Sequence, residues 1–66
     1  MKIRLNGKEK ELGESQKLED LIQQFCSQSP KVIAEVNGNI IKTHRWAETI
    51  LKEGDIVELV TLVGGG

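Results

Sequence analysis

The last three residues of the chain, Gly64, Gly65 and Gly66, follow directly on an apolar run from Ile56 to Val63. Glycine has no Cβ and takes backbone conformations closed to other residues. Such a tail can enter a channel that admits bare backbone and little else. Fully extended, Val63 to Gly66 reaches roughly 13 Å at about 3.3 Å per residue. That is far enough to carry the chain end into another protein's active site while the folded body stays outside. A C-terminal carboxyl titrates at about 3.3–3.7, so it is ionised at neutral pH. The chemistry this pattern points to is that of a carboxylate on Gly66. Glycine-rich ends also occur as flexible tails, linker scars and truncation points, so the tail alone leaves both explanations open.

The remaining reactive side chains are few. Cys26 is the sole cysteine, so it can form no intrachain disulfide, and a four-ligand zinc set is lacking. It lies beside an apolar helical stripe, where a free thiol behaves as a small hydrophobe rather than a sulfur relay. His44 is the single histidine and has no second ligand nearby. Trp46 reads as a packing anchor, since base stacking calls for a basic surround that Lys42 and Arg45 are too few to make. No acid–base pair, nucleophile–histidine set or phosphate loop is evident. The glycines follow a strand and lead into no helix, so they are not a nucleotide-binding fingerprint. The chain is therefore expected not to be an enzyme, to bind no metal and to hold no cofactor of its own.

Composition narrows the class further. The 66 residues are 38% hydrophobic and 29% charged, with a formal net charge of −1. Phosphate-binding domains are usually clearly basic, so nucleic acid is not an expected partner. No apolar stretch approaches bilayer-spanning length, and no signal peptide precedes the first strand, so no membrane partner and a cytoplasmic location are expected. The length suits one domain near the lower limit for a self-sufficient core, spanning 1–66 with 63–66 as a flexible C-terminal tail.

The elements that must carry the tail are legible as changes of period. Ile3 and Leu5 alternate with Lys2, Arg4 and Asn6, which predicts a half-buried strand. Asn6-Gly7 is a two-residue hairpin turn into a polar strand from Lys8 to Leu12. The mixed charges Lys8, Glu9, Lys10 and Glu11 suit a solvated sheet edge. Gly13 to Gln16 is a loop. Leu18, Leu21, Ile22 and Phe25 then fall at i, i+3, i+4 and i+7, one face of a helix. Glu19 and Asp20 suit its first turn, although Lys17 is a poor cap. Pro30 cannot continue the helix. Val32 to Val36 is a strand with Val32, Ala34 and Val36 on one face and Ile33 and Glu35 on the other. Asn37-Gly38 turns it back into Ile40-Ile41. Residues 43–50 read as a short helical or 3₁₀ piece that Thr43 could cap. Glu53-Gly54-Asp55 is a turn before the last strand. The order β-β-α-β-β-β predicts an α+β fold: a mixed sheet of four to five strands with one main helix packed on one face. Pairing of the first and last strands mid-sheet would make this the ubiquitin-like β-grasp.

Several segments resemble those of the ThiS family. They are the opening Met1-Lys2-Ile3-Arg4-Leu5-Asn6-Gly7, the hairpin Glu35-Val36-Asn37-Gly38-Asn39-Ile40-Ile41, Trp46-Ala47 before Leu51-Lys52-Glu53-Gly54-Asp55, and the ending Val63 to Gly66. Each is weak alone; their order and spacing over the whole chain are specific. The resemblance implies a sulfur carrier of thiamine biosynthesis. In that scheme an E1-like enzyme adenylates the Gly66 carboxylate with ATP. The adenylate becomes a thiocarboxylate with sulfur from a cysteine desulfurase through a persulfide donor. Thiazole synthase then takes the sulfur. Gly64 and Gly65 would thread the partners' active sites.

One further expectation comes from the last strand. If Val57 and Leu59 face the core, then Ile56, Glu58, Val60 and Leu62 face outward, joined by Ile33 from the neighbouring strand. Ile33, Val60, Leu62 and Val63 would then form an exposed apolar patch beside the tail, of the kind that marks docking surfaces. Two alternatives remain open. One is a sulfur carrier of another pathway, such as the small subunit of molybdopterin synthase. The other is a non-catalytic β-grasp binding module.

Overall fold

The computed structural model describes residues 1–14, 16–26 and 31–62. Five strands, β1 (Lys2–Leu5), β2 (Lys8–Glu11), β3 (Val32–Val36), β4 (Asn39–Ile41) and β5 (Ile56–Thr61), and one helix, α1 (Leu18–Cys26), account for most of it. A 3₁₀ helix, Thr43–Glu48, links β4 to β5. The sheet order is β2-β1-β5-β3-β4, with β1 and β5 parallel and the other neighbours antiparallel. This is the expected β-grasp, in its five-strand form. The central place of β5 explains why the last strand is apolar: both its edges are paired, and Val57 and Leu59 on one face are buried.

The two Asn-Gly pairs set the hairpins. Asn6 and Gly7 have φ of 49° and 82°, and Asn37 and Gly38 have 51° and 86°. Positive φ at both positions matches the right-handed twist of the strands on either side. Their asparagines also do something that turn propensity does not reveal. Asn6 Oδ1 accepts the Leu59 N–H at 2.8 Å, and its Nδ2 donates to the Leu59 carbonyl at 3.3 Å. The side chain thus continues the β1 edge of β5 past the point where β1 itself turns away. Asn37 mirrors it on the β3 side: its Oδ1 accepts the Ile56 N–H at 2.9 Å and its Nδ2 reaches Asp55 Oδ1 at 3.0 Å. The beginning and the middle of β5 are therefore held by the two turn asparagines.

The core lies between the sheet and α1. Ile3, Leu5, Ala34, Val36, Val57 and Leu59 from the strands meet Leu18, Leu21, Ile22 and Cys26 from the helix, with Leu12 and Leu51 closing the ends. The helical stripe differs from the expected one at its last position. Cys26 is buried, whereas Phe25 is 52% exposed. Ideal helical geometry advances about 100° per residue. On that count position 25 falls near the centre of the face formed by 18, 21 and 22, and position 26 roughly 90° from it, so the inward place of the smaller Cys26 comes from tertiary packing and not from helical period. Phe25 lies outside against β2, with Lys10 Nζ 5.5 Å from its ring centre.

The weak cap at Lys17 is offset by backbone. Lys17 forms an isolated bridge with Ile50, in which Leu18 N–H donates to the Thr49 carbonyl and Leu51 N–H to that of Gln16. A neighbouring chain segment thereby satisfies a helix N-terminal donor that would otherwise need a side chain. The expected Thr43 cap is not formed: Lys42 occupies the N-cap position, with no side-chain cap bond. Trp46 does anchor the 3₁₀ segment. It packs against the core while its Nε1 donates to the Ile41 carbonyl at 2.9 Å.

Candidate functional site

The sheet has two faces, and only one is covered. On the other, the register of β3 against β5 sets Ile33 opposite Val60 and Glu35 opposite Glu58. The β3–β4 register adds Ile40 opposite Glu35. On the far side of β5, Arg4 lies opposite Ile56. Alternation along β5 buries Val57 and Leu59 and leaves Ile56, Glu58 and Val60 outward. Exposures of 41% for Ile33, 52% for Val60 and 45% for Leu62 place a contiguous apolar strip at the C-terminal end of β5. Leu62 follows the strand immediately and is held by its N–H, which donates to the Lys31 carbonyl at 3.0 Å. The outward apolar arrangement expected of Ile33, Val60 and Leu62 is thus present. Val63, Gly64, Gly65 and Gly66, the expected docking neighbour and the tail itself, lie outside the described residues.

Three features of this face escaped the sequence. Ile40 is 66% exposed and extends the apolar area across β4. Glu35 and Glu58 are direct cross-strand neighbours. Asn6 and Asn37, legible only as turn residues, clamp the strand that carries the face. Each depends on which residues pair across strands, and no one-dimensional pattern encodes that. The alternation around Glu35 and Glu58 could have given their common face, but not their register.

Cys26 stands apart from all this. It is buried at the end of α1, and desolvation raises its thiol pKa above the ordinary value. A thiol held protonated is a weak nucleophile, which agrees with a packing role. Among the described residues no group of three or more His, Cys, Asp or Glu side chains could hold a metal ion. No helix among them is long and apolar enough to cross a membrane.

The ThiS family model matches residues 3–66. The chain belongs to the ThiS family. Among family relatives, the sulfur carrier protein ThiS of Bacillus subtilis (strain 168) is 35% identical over 65 residues, covering 97% of this chain and 98% of that one. A thiazole synthase of Paramagnetospirillum magneticum is 33% identical over 66 residues; the match takes in all of this chain but only 20% of that protein. The crystal structure of the thiamine biosynthesis protein ThiS from Geobacter metallireducens superimposes with a TM-score of 0.83 at 30% identity, each chain fully covered. Architecture and sequence thus lead to one ThiS-type β-grasp.

Proposed function

We propose that this protein is a sulfur carrier of thiamine biosynthesis whose Gly66 carboxylate is the working group. An E1-like enzyme uses ATP to adenylate that carboxylate. The carboxylate oxygen attacks the α-phosphorus and pyrophosphate leaves. A bare carboxylate resists nucleophiles because attack would add charge to charge. As the acyl adenylate it is neutral at carbon and carries AMP as leaving group. The outer sulfur of a persulfide derived from a cysteine desulfurase then attacks the acyl carbon and AMP leaves; a thiol cleaves the S–S bond of the resulting acyl disulfide, forming a new disulfide and releasing the thiocarboxylate that thiazole synthase consumes. The carrier contributes no catalytic group, and ATP and the cations that offset its charge belong to the activating partner.

The observation that carries this proposal is the exposed apolar strip Ile33–Val60–Leu62 at the C-terminal end of β5, whose last member, Leu62, is followed in the sequence by Val63 and the three glycines. Among the described residues that strip stays exposed, and a surface of this kind suits a partner that must also receive the tail. Family membership and the similarity to the Bacillus ThiS support sulfur carriage. The thiazole synthase that contains a stretch similar to this chain supports thiazole synthase as the acceptor.

The test is incubation with the activating enzyme, ATP and a persulfide donor, followed by intact mass and C-terminal fragmentation. The expected result is replacement of one oxygen by sulfur on the Gly66 fragment alone. Fragmentation is required because oxidation at Met1 or Cys26 adds the same nominal mass. A mass gain confined to the fragment with Met1 or Cys26 would refute the proposal.

A further inference from the structure

The uncovered face of the sheet holds a conflict that the fold does not resolve. Glu35 and Glu58 sit directly opposite one another on β3 and β5. Like charges so placed are destabilising. Among the described residues neither carboxylate forms an ion pair. Arg4, on the adjacent strand, is one rung away, opposite Ile56. The pair is surrounded by exposed aliphatic side chains: Ile33 and Val60 on the next rung, Ile40 across β4, and Ile56 on the preceding rung of β5.

From this juxtaposition we propose that the Glu35–Glu58 pair, within its aliphatic ring, is the specificity element of the docking face and receives a guanidinium or ammonium group from the activating enzyme. The inference rests on the proposed function, in which that enzyme docks on this face. Charge complementarity selects the occupant. An apolar contact zone alone would accept many surfaces, but two adjacent carboxylates left unpaired in it are penalised by any partner that lacks a cation there. An arginine suits the arrangement best, since its planar fork can donate to both carboxylates while its stem lies on the isoleucines. The aliphatic ring excludes water from the contact, which strengthens the ion pairing. The same charges disfavour a second copy of this chain as occupant, because two such faces would bring four carboxylates together.

The experiment measures ATP–pyrophosphate exchange by the activating enzyme against carrier concentration, alongside thermal unfolding of the free carrier. The variants are Glu35→Gln, Glu58→Gln, the double variant and Glu58→Lys. The expected result is a pair of opposite effects in the double variant. Its melting temperature rises by about 2–5 °C as the repulsion is relieved. Its apparent KM for the enzyme rises about tenfold, more than kcat falls, and depends less steeply on salt than that of the native chain. Glu58→Lys raises KM further. Unchanged KM in the double variant, with normal exchange by the native chain, overturns this inference and leaves the proposed function standing. No exchange by the native chain overturns both. A lower melting temperature in the double variant also overturns the inference, since the pair would then be stabilising the fold. So does a dimer that the Gln substitutions tighten, which would assign the face to a second copy.

Discussion

Replacing Asn6 tests how β5 is held in place. Its side chain makes two bonds to the Leu59 backbone, at 2.8 and 3.3 Å, and its own φ is 49°. In Asn6→Ala both bonds are lost, and the longer one is the weaker. At about 0.5–1.5 kcal/mol each, they contribute about 1–2.5 kcal/mol. Alanine in the left-handed region adds about 1 kcal/mol that asparagine largely escapes. The total, about 2–3.5 kcal/mol, is a large part of the roughly 3–10 kcal/mol expected of a domain this size. The melting temperature should fall by about 8–28 °C at about 4–8 °C per kcal/mol. Asn6→Gly separates the two contributions. Glycine takes the positive φ without strain, so only the side-chain clamp is lost and the cost falls to about 1–2.5 kcal/mol. Urea unfolding of the native chain and both variants, with slopes checked for constancy, measures both differences. A glycine variant as stable as the native chain would refute the clamp. Equal losses for alanine and glycine would refute the strain.

Four other outcomes follow from the same geometry. Phe25→Ala should cost about 1 kcal/mol or less, chiefly the ring's contact with Lys10, whereas Ile22→Ala should cost about 2–5 kcal/mol by opening the core; paired urea titrations check the ranking. Cys26→Ala should still be loaded with sulfur at Gly66 by mass analysis, and native Cys26 should react with iodoacetamide far more slowly than the unfolded chain at the same pH. Because the folded thiol titrates above its unfolded value, the native state binds more protons than the unfolded chain above about pH 8.5. Stability should therefore decline from that pH upward, and the decline should be smaller in Cys26→Ala. Leu62→Asp should leave the fold intact by circular dichroism and weaken binding to both the activating enzyme and thiazole synthase in calorimetry. Gly65→Val should abolish ATP–pyrophosphate exchange without changing the melting temperature; normal exchange would refute tail threading.

Local physics made much of this protein readable in one dimension. Alternation at Ile3 and Leu5, the 3.6-residue spacing of Leu18, Leu21 and Ile22, and positive-φ turns at both Asn-Gly pairs are short-range preferences, and each is met in the folded chain. The outward face of β5 followed from the same period of two. Where two neighbouring residues competed for one place, the sequence could not choose. Phe25 is the more hydrophobic and lies closer to the centre of the helical stripe, yet the folded chain buries Cys26 instead. Likewise, the poor cap at Lys17 is offset only by the Gln16–Leu51 and Leu18–Thr49 backbone bonds, which join segments far apart in the chain.

What the sequence by itself determined was the set of elements, their order and the side each strand turns to the core, because these depend on residues a few positions apart. The tertiary structure alone decided the partners. It set Glu35 against Glu58, brought Ile40 to the same face and carried the Asn6 side chain to Leu59, 53 positions along the chain. Register between distant strands arises from packing the whole sheet against one helix. A residue cannot signal its cross-strand neighbour until that packing exists.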